Sequence, residues 1–350
     1  MTDNYNELAG HSIAGCELLK ELGRGTNGIV YLANQKKLNR QVACKIIYGE
    51  LQNDPDFIDN LFSEASNAAK LSHPNIIQAL DVGDDNGVKY FLMEYINGSS
   101  LEYIRTNTPE IISTEYLLDI AVQLANAMDY AWRQHGMIHG DIKPANILIS
   151  KEKVLKVGDL GLARSSNGAT GDPADIMITP LYAAPEIISQ QALEPDQRSD
   201  IYSFGTMLYE LLCGSAPFSG SIEYLLECHL SHTPDPLISR NPDMNRELAE
   251  FIDSMLAKNP DDRPKDWQVV RERLQEIYRK LFPEAEVPGM HSFGQAKKSN
   301  SVNTFASNSS WNAEKKELKL LEKFPWLLPA LLIVIIVAAL ISIPISMRLF

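Results

Sequence analysis

His139-Gly140-Asp141-Ile142-Lys143-Pro144-Ala145-Asn146-Ile147-Leu148-Ile149, with Val157-Gly158-Asp159-Leu160-Gly161 following, is the stretch on which the reading of this chain turns. It sets two carboxylates, an amide and an ammonium group among apolar β-formers. Taken singly, Asp141, Asn146 and Asp159 suit turn or capping positions. Taken together they bring hard oxygen donors and a cation into one short segment.

Around that segment the composition is ordinary for a globular protein. Of 350 residues, 45% are hydrophobic and 22% charged, which excludes fibrous, disulfide-scaffold and wholly disordered classes. The net charge of −13 argues against sequence-independent binding to a nucleic-acid backbone, so no nucleic-acid partner is expected. The four cysteines, Cys16, Cys44, Cys213 and Cys228, form no CxxC pair, so neither zinc nor a disulfide framework is supported and the chain reads as cytosol-facing. The start, MTDNYNELAG, has no basic segment followed by an apolar run, and a signal peptide is not expected.

The charge is not evenly spread. Residues 283–323 hold five acidic and six basic side chains and Arg348 adds another cation, which leaves −15 on residues 1–282. Nine of the fourteen positions 299–312 are Ser or Asn, as in a flexible linker. A charged juxtamembrane segment ends that linker region, 283–323. Residues 324–347 then lack any ionisable side chain; as a helix they would extend about 36 Å, enough to cross a bilayer core of about 30 Å. A C-terminal transmembrane helix is expected there, in contact with membrane lipid. Lys315, Lys316, Lys319 and Lys323 precede it and only Arg348 follows. The positive-inside bias then leaves residues 1–323 in the cytoplasm, below a single-pass anchor.

Residues 1–12 read as an N-terminal extension. From 13 to 96, short β-rich runs (CELLKEL, IVYLAN, QVACKII, KYFLMEY) alternate with turn signals. One helix is expected at 56–71, with Phe57, Leu61, Ala65, Ala68 and Leu71 spaced along one face. From 97 to 282 the pattern turns helical, at 114–135, 197–213, 221–230, 245–258 and 264–281. The glycine-rich loop Gly23-Arg24-Gly25-Thr26-Asn27-Gly28 lies between two strand-like runs. It suits a phosphate cradle or a tight hairpin turn equally. A strand rather than a helix follows it, through Val30, and that disfavours a dinucleotide-binding fold. Lys45 sits in a run of apolar β-formers.

With Ala184-Pro185-Glu186 added in the right order and spacing, residues 13–282 resemble the eukaryotic-like serine/threonine protein kinases, in their bacterial form with a C-terminal anchor. The resemblance implies an α+β, bilobal protein kinase fold: a small antiparallel β lobe with one key helix, then a larger and mainly α lobe. It implies ATP as cofactor with Mg²⁺, or Mn²⁺ on the same donors, and protein substrates with Ser/Thr acceptors, the chain itself among them. Asp141 would take the acceptor's proton and Lys143 would steady the γ-phosphate, while Asn146 and Asp159 would hold the metal. Lys45, paired with Glu64, would hold the α- and β-phosphates beneath Gly23, Arg24, Gly25 and Gly28. Met93 would stand as gatekeeper, the backbone of Glu94 and Ile96 would meet adenine, and Val30, Ala43 and Leu148 would pack on its faces. These last three pass equally well for plain core.

By the same resemblance Thr179 bonds the catalytic aspartate, Glu186 pairs with Arg263, and Asp200 braces the catalytic loop. Three departures stand out. Gly140 replaces a frequent arginine, so activity should depend less on phosphorylation of the loop carrying Ser165, Ser166, Thr170 and Thr179, apart from any direct structural effect at Thr179. Leu160 replaces a phenylalanine, and Asn27 a frequent aromatic, which suggests looser phosphate shielding. A nucleotide-gated scaffold without catalysis and a small-molecule phosphotransferase are the competing readings. The five residues Lys45, Glu64, Asp141, Asn146 and Asp159 weigh against the first, and the segment after Thr179 against the second. A homodimer through the small lobe or the span stays open; the span has no GxxxG.

Overall fold

In the computed structural model the described residues are 8–25, 27–52, 58, 62, 65, 66, 68–159, 164, 165, 179–189 and 195–288. The chain divides into two compact units, Met1–His291 and Ser292–Phe350. The second, with most of the expected linker and the expected span at 324–347, lies outside the described residues. Among those described, no helix is long and apolar enough to cross a membrane.

The small lobe is a six-stranded antiparallel sheet in the order β1 (Ser12–Ile13), β2 (Cys16–Arg24), β3 (Gly28–Gln35), β4 (Arg40–Ile47), β6 (Val88–Glu94), β5 (Ala79–Asp85). Its register decides which residues reach the cleft. Val30 pairs with Lys45, Lys45 with Phe91, and Ala43 with Leu32 and Met93. Directly paired residues share a face, so Val30, Ala43, Lys45 and Met93 line one side. The alternate residues Ile29, Tyr31, Val42, Cys44, Ile46 and Leu92 build the small-lobe core on the other. The helix expected at 56–71 is helical at each described position from 58 to 70; Ala65, Ala68 and Leu71 are buried as expected, while Phe57 and Leu61 lie outside the described residues.

The larger lobe packs α1 (Leu101–Asn107), α2 (Thr114–His135), α3 (Gln197–Cys213), α5 (Arg246–Met255) and α6 (Trp267–Leu281) around one hydrophobic core, while α4 (Ile222–Ser231) buries Leu225, Cys228 and His229 outside it. Ser113 caps the start of α2 by accepting from the Tyr116 amide, and Gly136 ends it in the left-handed region, where glycine carries no Cβ penalty. A three-stranded sheet, β7 (Gly98–Ser100), β9 (Ile147–Ser150) and β10 (Leu155–Val157), roofs this lobe. The catalytic stretch is the loop between β8 (Met137–Ile138) and β9.

Candidate active site

Asp141 is the best-supported side chain of the loop. Thr179 donates its hydroxyl to Oδ1 at 2.7 Å. The Lys143 ammonium stands 2.6 Å from Oδ2 and also donates to Thr179 Oγ1 at 2.8 Å. Asn146 Nδ2 reaches both the Asp141 carbonyl, at 2.8 Å, and Oδ2, at 2.9 Å. Both of those groups can only accept, which fixes the Asn146 amide with its nitrogen toward Asp141 and its oxygen free of them. A carboxylate has about four acceptor sites, and three donors occupy Asp141. One remains for an incoming hydroxyl.

Two buried groups hold this loop in shape. Asp200, on α3, accepts the His139 amide at 2.7 Å and the Gly140 amide at 2.8 Å. Burial pushes its carboxyl above the ordinary value, and the two amides supply the hydrogen bonds a buried carboxylate needs. Gly140 has φ of 78°, a conformation that costs a residue with a side chain about 1–2 kcal/mol. The His139 ring then bridges two segments: the Asp141 amide donates to Nδ1 at 3.2 Å, and Nε2 meets the Gly158 carbonyl at 3.1 Å. The imidazole thereby ties the Asp141 backbone to the residue before Asp159, beside the Gly158 amide, which donates to the Asn146 carbonyl at 2.9 Å.

Asp159 faces the small lobe. Lys45 Nζ lies 3.4 Å from its Oδ1, with the lysine side chain 19% exposed and the aspartate 58%. Of the expected pair with Lys45, Glu64 lies outside the described residues, as do Thr26, Leu160, Gly161, Ser166 and Thr170. A divalent cation fits the donor set that is present. The Asp159 carboxylate is half open to solvent, and hydrogen bonding leaves the Asn146 amide with its oxygen as the spare donor atom. Asp159 and Asn146 would hold the metal, whose charge would offset that of a polyphosphate.

The nucleotide side separates into groups that the sequence could not distinguish. Val30 and Leu148 are half-buried, whereas their chain neighbours Ile29, Ile147 and Ile149 are buried; neither residue, nor Ala43, belongs to either hydrophobic core. They are cleft residues rather than core. Gly23 and Gly25 have nothing within 4 Å of where a Cβ would stand, as a phosphate cradle requires, but a Cβ on Gly28 would run into the Ile46 carbonyl. Gly28 is therefore needed for the approach of β3 to β4. The Arg24 guanidinium is held by Glu21 at 2.7 and 2.8 Å.

In the hinge, Met93 and Glu94 end β6, one residue earlier than the run KYFLMEY suggested, and Ile96 follows half-buried. The Glu94 carboxylate takes Lys156 Nζ at 2.8 Å on each oxygen. That pair ties the hinge to β10, three residues before Asp159. Sequence reasoning missed it, because Lys156 in a three-residue strand carries no signal of its own.

The segment from Thr179 to Glu186 is anchored from below. The Arg263 side chain is 0% exposed and uses all five guanidinium N–H groups, on both Glu186 oxygens and on the carbonyls of Ala257, Arg198 and Lys258. Tyr182 donates to the buried Glu210 at 2.5 Å, and Arg105 of α1 lies 3.4 Å from that same carboxylate. A shallow dent, open to solvent, is bounded by Gly140, Asp141, Thr179, Tyr182 and Ser203.

Comparison with known proteins agrees with this geometry. Residues 16–276 match the protein kinase domain family. The chain is 36% identical over 278 residues to the serine/threonine-protein kinase PknB of Mycolicibacterium smegmatis, covering 77% of this chain and 44% of that protein. To a probable serine/threonine-protein kinase of Clostridium acetobutylicum it is 32% identical, covering 74% and 38%. The chain thus spans less than half the length of these curated relatives. Among solved structures, the Mycobacterium tuberculosis PknI kinase domain superposes with a TM-score of 0.61 at 24% identity, covering 77% of this chain and 98% of the other. The apo form of PpkA-294 gives 0.64 at 26%, covering 76% and 98%. Fold, catalytic loop and sequence agree: the chain belongs to the protein kinase family, and its relatives are bacterial kinases of the eukaryotic-like serine/threonine type.

Proposed function

We propose that this protein transfers the γ-phosphate of ATP to serine and threonine hydroxyls of proteins, itself included, with Mg²⁺ as the metal. The observation that carries the reading is the convergence of Thr179, Lys143 and Asn146 on Asp141, which leaves one acceptor site on the carboxylate for a hydroxyl. Phosphoryl transfer asks the protein for positioning and charge neutralisation. Asp141 would orient the hydroxyl and receive its proton, Lys143 would face the phosphoryl oxygens, and Lys45 would hold the polyphosphate. The names of the relatives support Ser/Thr acceptors.

The reading extends to a tether. Residues 324–347, free of ionisable side chains and preceded by four lysines from 315 to 323, would anchor the kinase to the cytoplasmic face of a membrane. The test incubates the 350-residue chain with labelled ATP, Mg²⁺ and myelin basic protein, and identifies the labelled amino acids. Phosphoserine and phosphothreonine are expected; label on tyrosine alone would overturn the acceptor class. Protease treatment of sealed vesicles should digest residues 1–282 from the cytoplasmic side, and their protection would overturn the orientation.

A further inference from the structure

A row of buried polar groups that phosphoryl transfer does not use ends on the acceptor segment. His229, on α4, is 0% exposed. Its Nε2 lies 3.1 Å from the Leu181 carbonyl, two residues after Thr179. Its Nδ1 lies 2.9 Å from the Tyr202 hydroxyl of α3, and Lys258 Nζ, in the loop after α5, lies 3.2 Å from that same hydroxyl.

The proton positions follow from what each group can do. A carbonyl only accepts, so Nε2 carries a hydrogen and donates to Leu181. Burial, with Lys258 nearby, holds the imidazole down at about 4, so at neutral pH Nδ1 is bare and accepts. The Tyr202 hydroxyl therefore donates to Nδ1, and its oxygen is left to accept from Lys258. The ammonium is held over the Phe218 ring at 4.8 Å and donates also to the Cys228 carbonyl at 3.1 Å. Every link donates in the same direction, from Lys258 to Leu181, and such chains polarise one another. Phe218 packs edge-on against His229 at 5.1 Å and fixes the ring's plane.

We propose that His229 is a positioning residue for the protein acceptor: through the donor chain Lys258–Tyr202–His229 it fixes the Leu181 carbonyl, and with it the surface on which the acceptor peptide lies. This rests on the kinase reading above. His229 touches neither the nucleotide cleft nor Asp141. Its loss should therefore separate acceptor binding from ATP binding, which a general loosening of the lobe would not do.

The experiment compares wild type, His229→Leu, His229→Gln and Tyr202→Phe in the 350-residue chain. The KM for myelin basic protein and the KM for ATP are measured, together with amide hydrogen exchange of residues 180–186. Glutamine retains one N–H donor and one acceptor. His229→Leu should raise the acceptor KM about tenfold, the scale of one lost buried hydrogen bond, with the ATP KM within about twofold and exchange faster in 180–186 but not in α2. His229→Gln should restore most of the wild-type value. An unchanged acceptor KM, or equal rises in both KM values, would overturn the proposal. If His229→Leu loses its cooperative unfolding transition, Tyr202→Phe, which keeps the ring, decides on the same criteria. If wild type transfers no phosphate, the kinase reading fails, and exchange in 180–186 still decides whether His229 positions the segment.

Discussion

Thr179 donates to Asp141 Oδ1 at 2.7 Å, across 38 residues of chain. One hydroxyl thus joins the loop that would perform the chemistry to the segment that would carry the acceptor, and Lys143 closes the triangle by donating to Thr179 while pairing with Asp141. Displacing either segment should cost rate through geometry rather than through folding. Thr179→Val, which keeps shape and removes the hydroxyl, should lower kcat about a hundredfold with little change in the unfolding midpoint, whereas Thr179→Ser should retain most of it. Steady-state kinetics beside urea denaturation reads both.

Arg263 leads to a stability prediction. Burial pushes the Glu186 carboxyl up, but the hydrogen bonds and charge of Arg263 outweigh it and hold the group below the ordinary value. Breaking a buried pair strands the remaining charge, so Arg263→Met should cost about 3–5 kcal/mol in urea unfolding. Arg263→Lys should recover only part of this, because three donors cannot serve five acceptor contacts.

His229 also predicts a pH dependence. Its folded-state pKa, near 4, is depressed from the ordinary 6.5 by burial and by Lys258. The unfolded chain therefore binds the proton more readily. The stabilisation is present in full above pH 6.5 and is lost as pH falls toward 4; it amounts to about 3 kcal/mol, with about 2 kcal/mol gone by about pH 5. His73, also depressed to about 4, acts in the same direction. Urea midpoints at about pH 7.5 and about pH 5 should converge in His229→Leu relative to wild type; an undiminished pH effect in the variant would contradict the assignment.

Much of this was legible in the sequence, for reasons that differ by element. The helices at 114–135 and 197–213 were placed to the residue because serine or aspartate caps begin them and glycine ends them. Asp141, Asn146 and Asp159 were legible because a motif fixes their spacing. Strand β5 was not legible, since Ala79–Asp85 carries three aspartates and alternates only at Leu80 and Val82. Nor could Val30 and Leu148 be told from core until the sheet register assigned their faces. Lys156, Arg105 and His229 escaped notice because each acts through a partner 48 to 105 positions away, a distance over which no local pattern speaks.

Gly140 bears on regulation. Position 140 carries no cation and has φ of 78°, and Asp200 holds the backbone of the catalytic loop through the His139 and Gly140 amides. Replacing Ser165, Ser166 and Thr170 together by alanine should leave at least about a third of the activity. A stable but inactive triple variant, seen in the same kinetic assay, would contradict this.

The most direct test of the central claim is the rate of label transfer from γ-labelled ATP with Mg²⁺ to myelin basic protein, for wild type and Asp141→Asn side by side. Losing a positioned base costs about 10²–10⁴-fold, so the variant should fall at least about a hundredfold while keeping its ATP KM and its unfolding midpoint. Transfer within about twofold of wild type, or no transfer by the wild-type chain to any protein serine or threonine, would contradict the account.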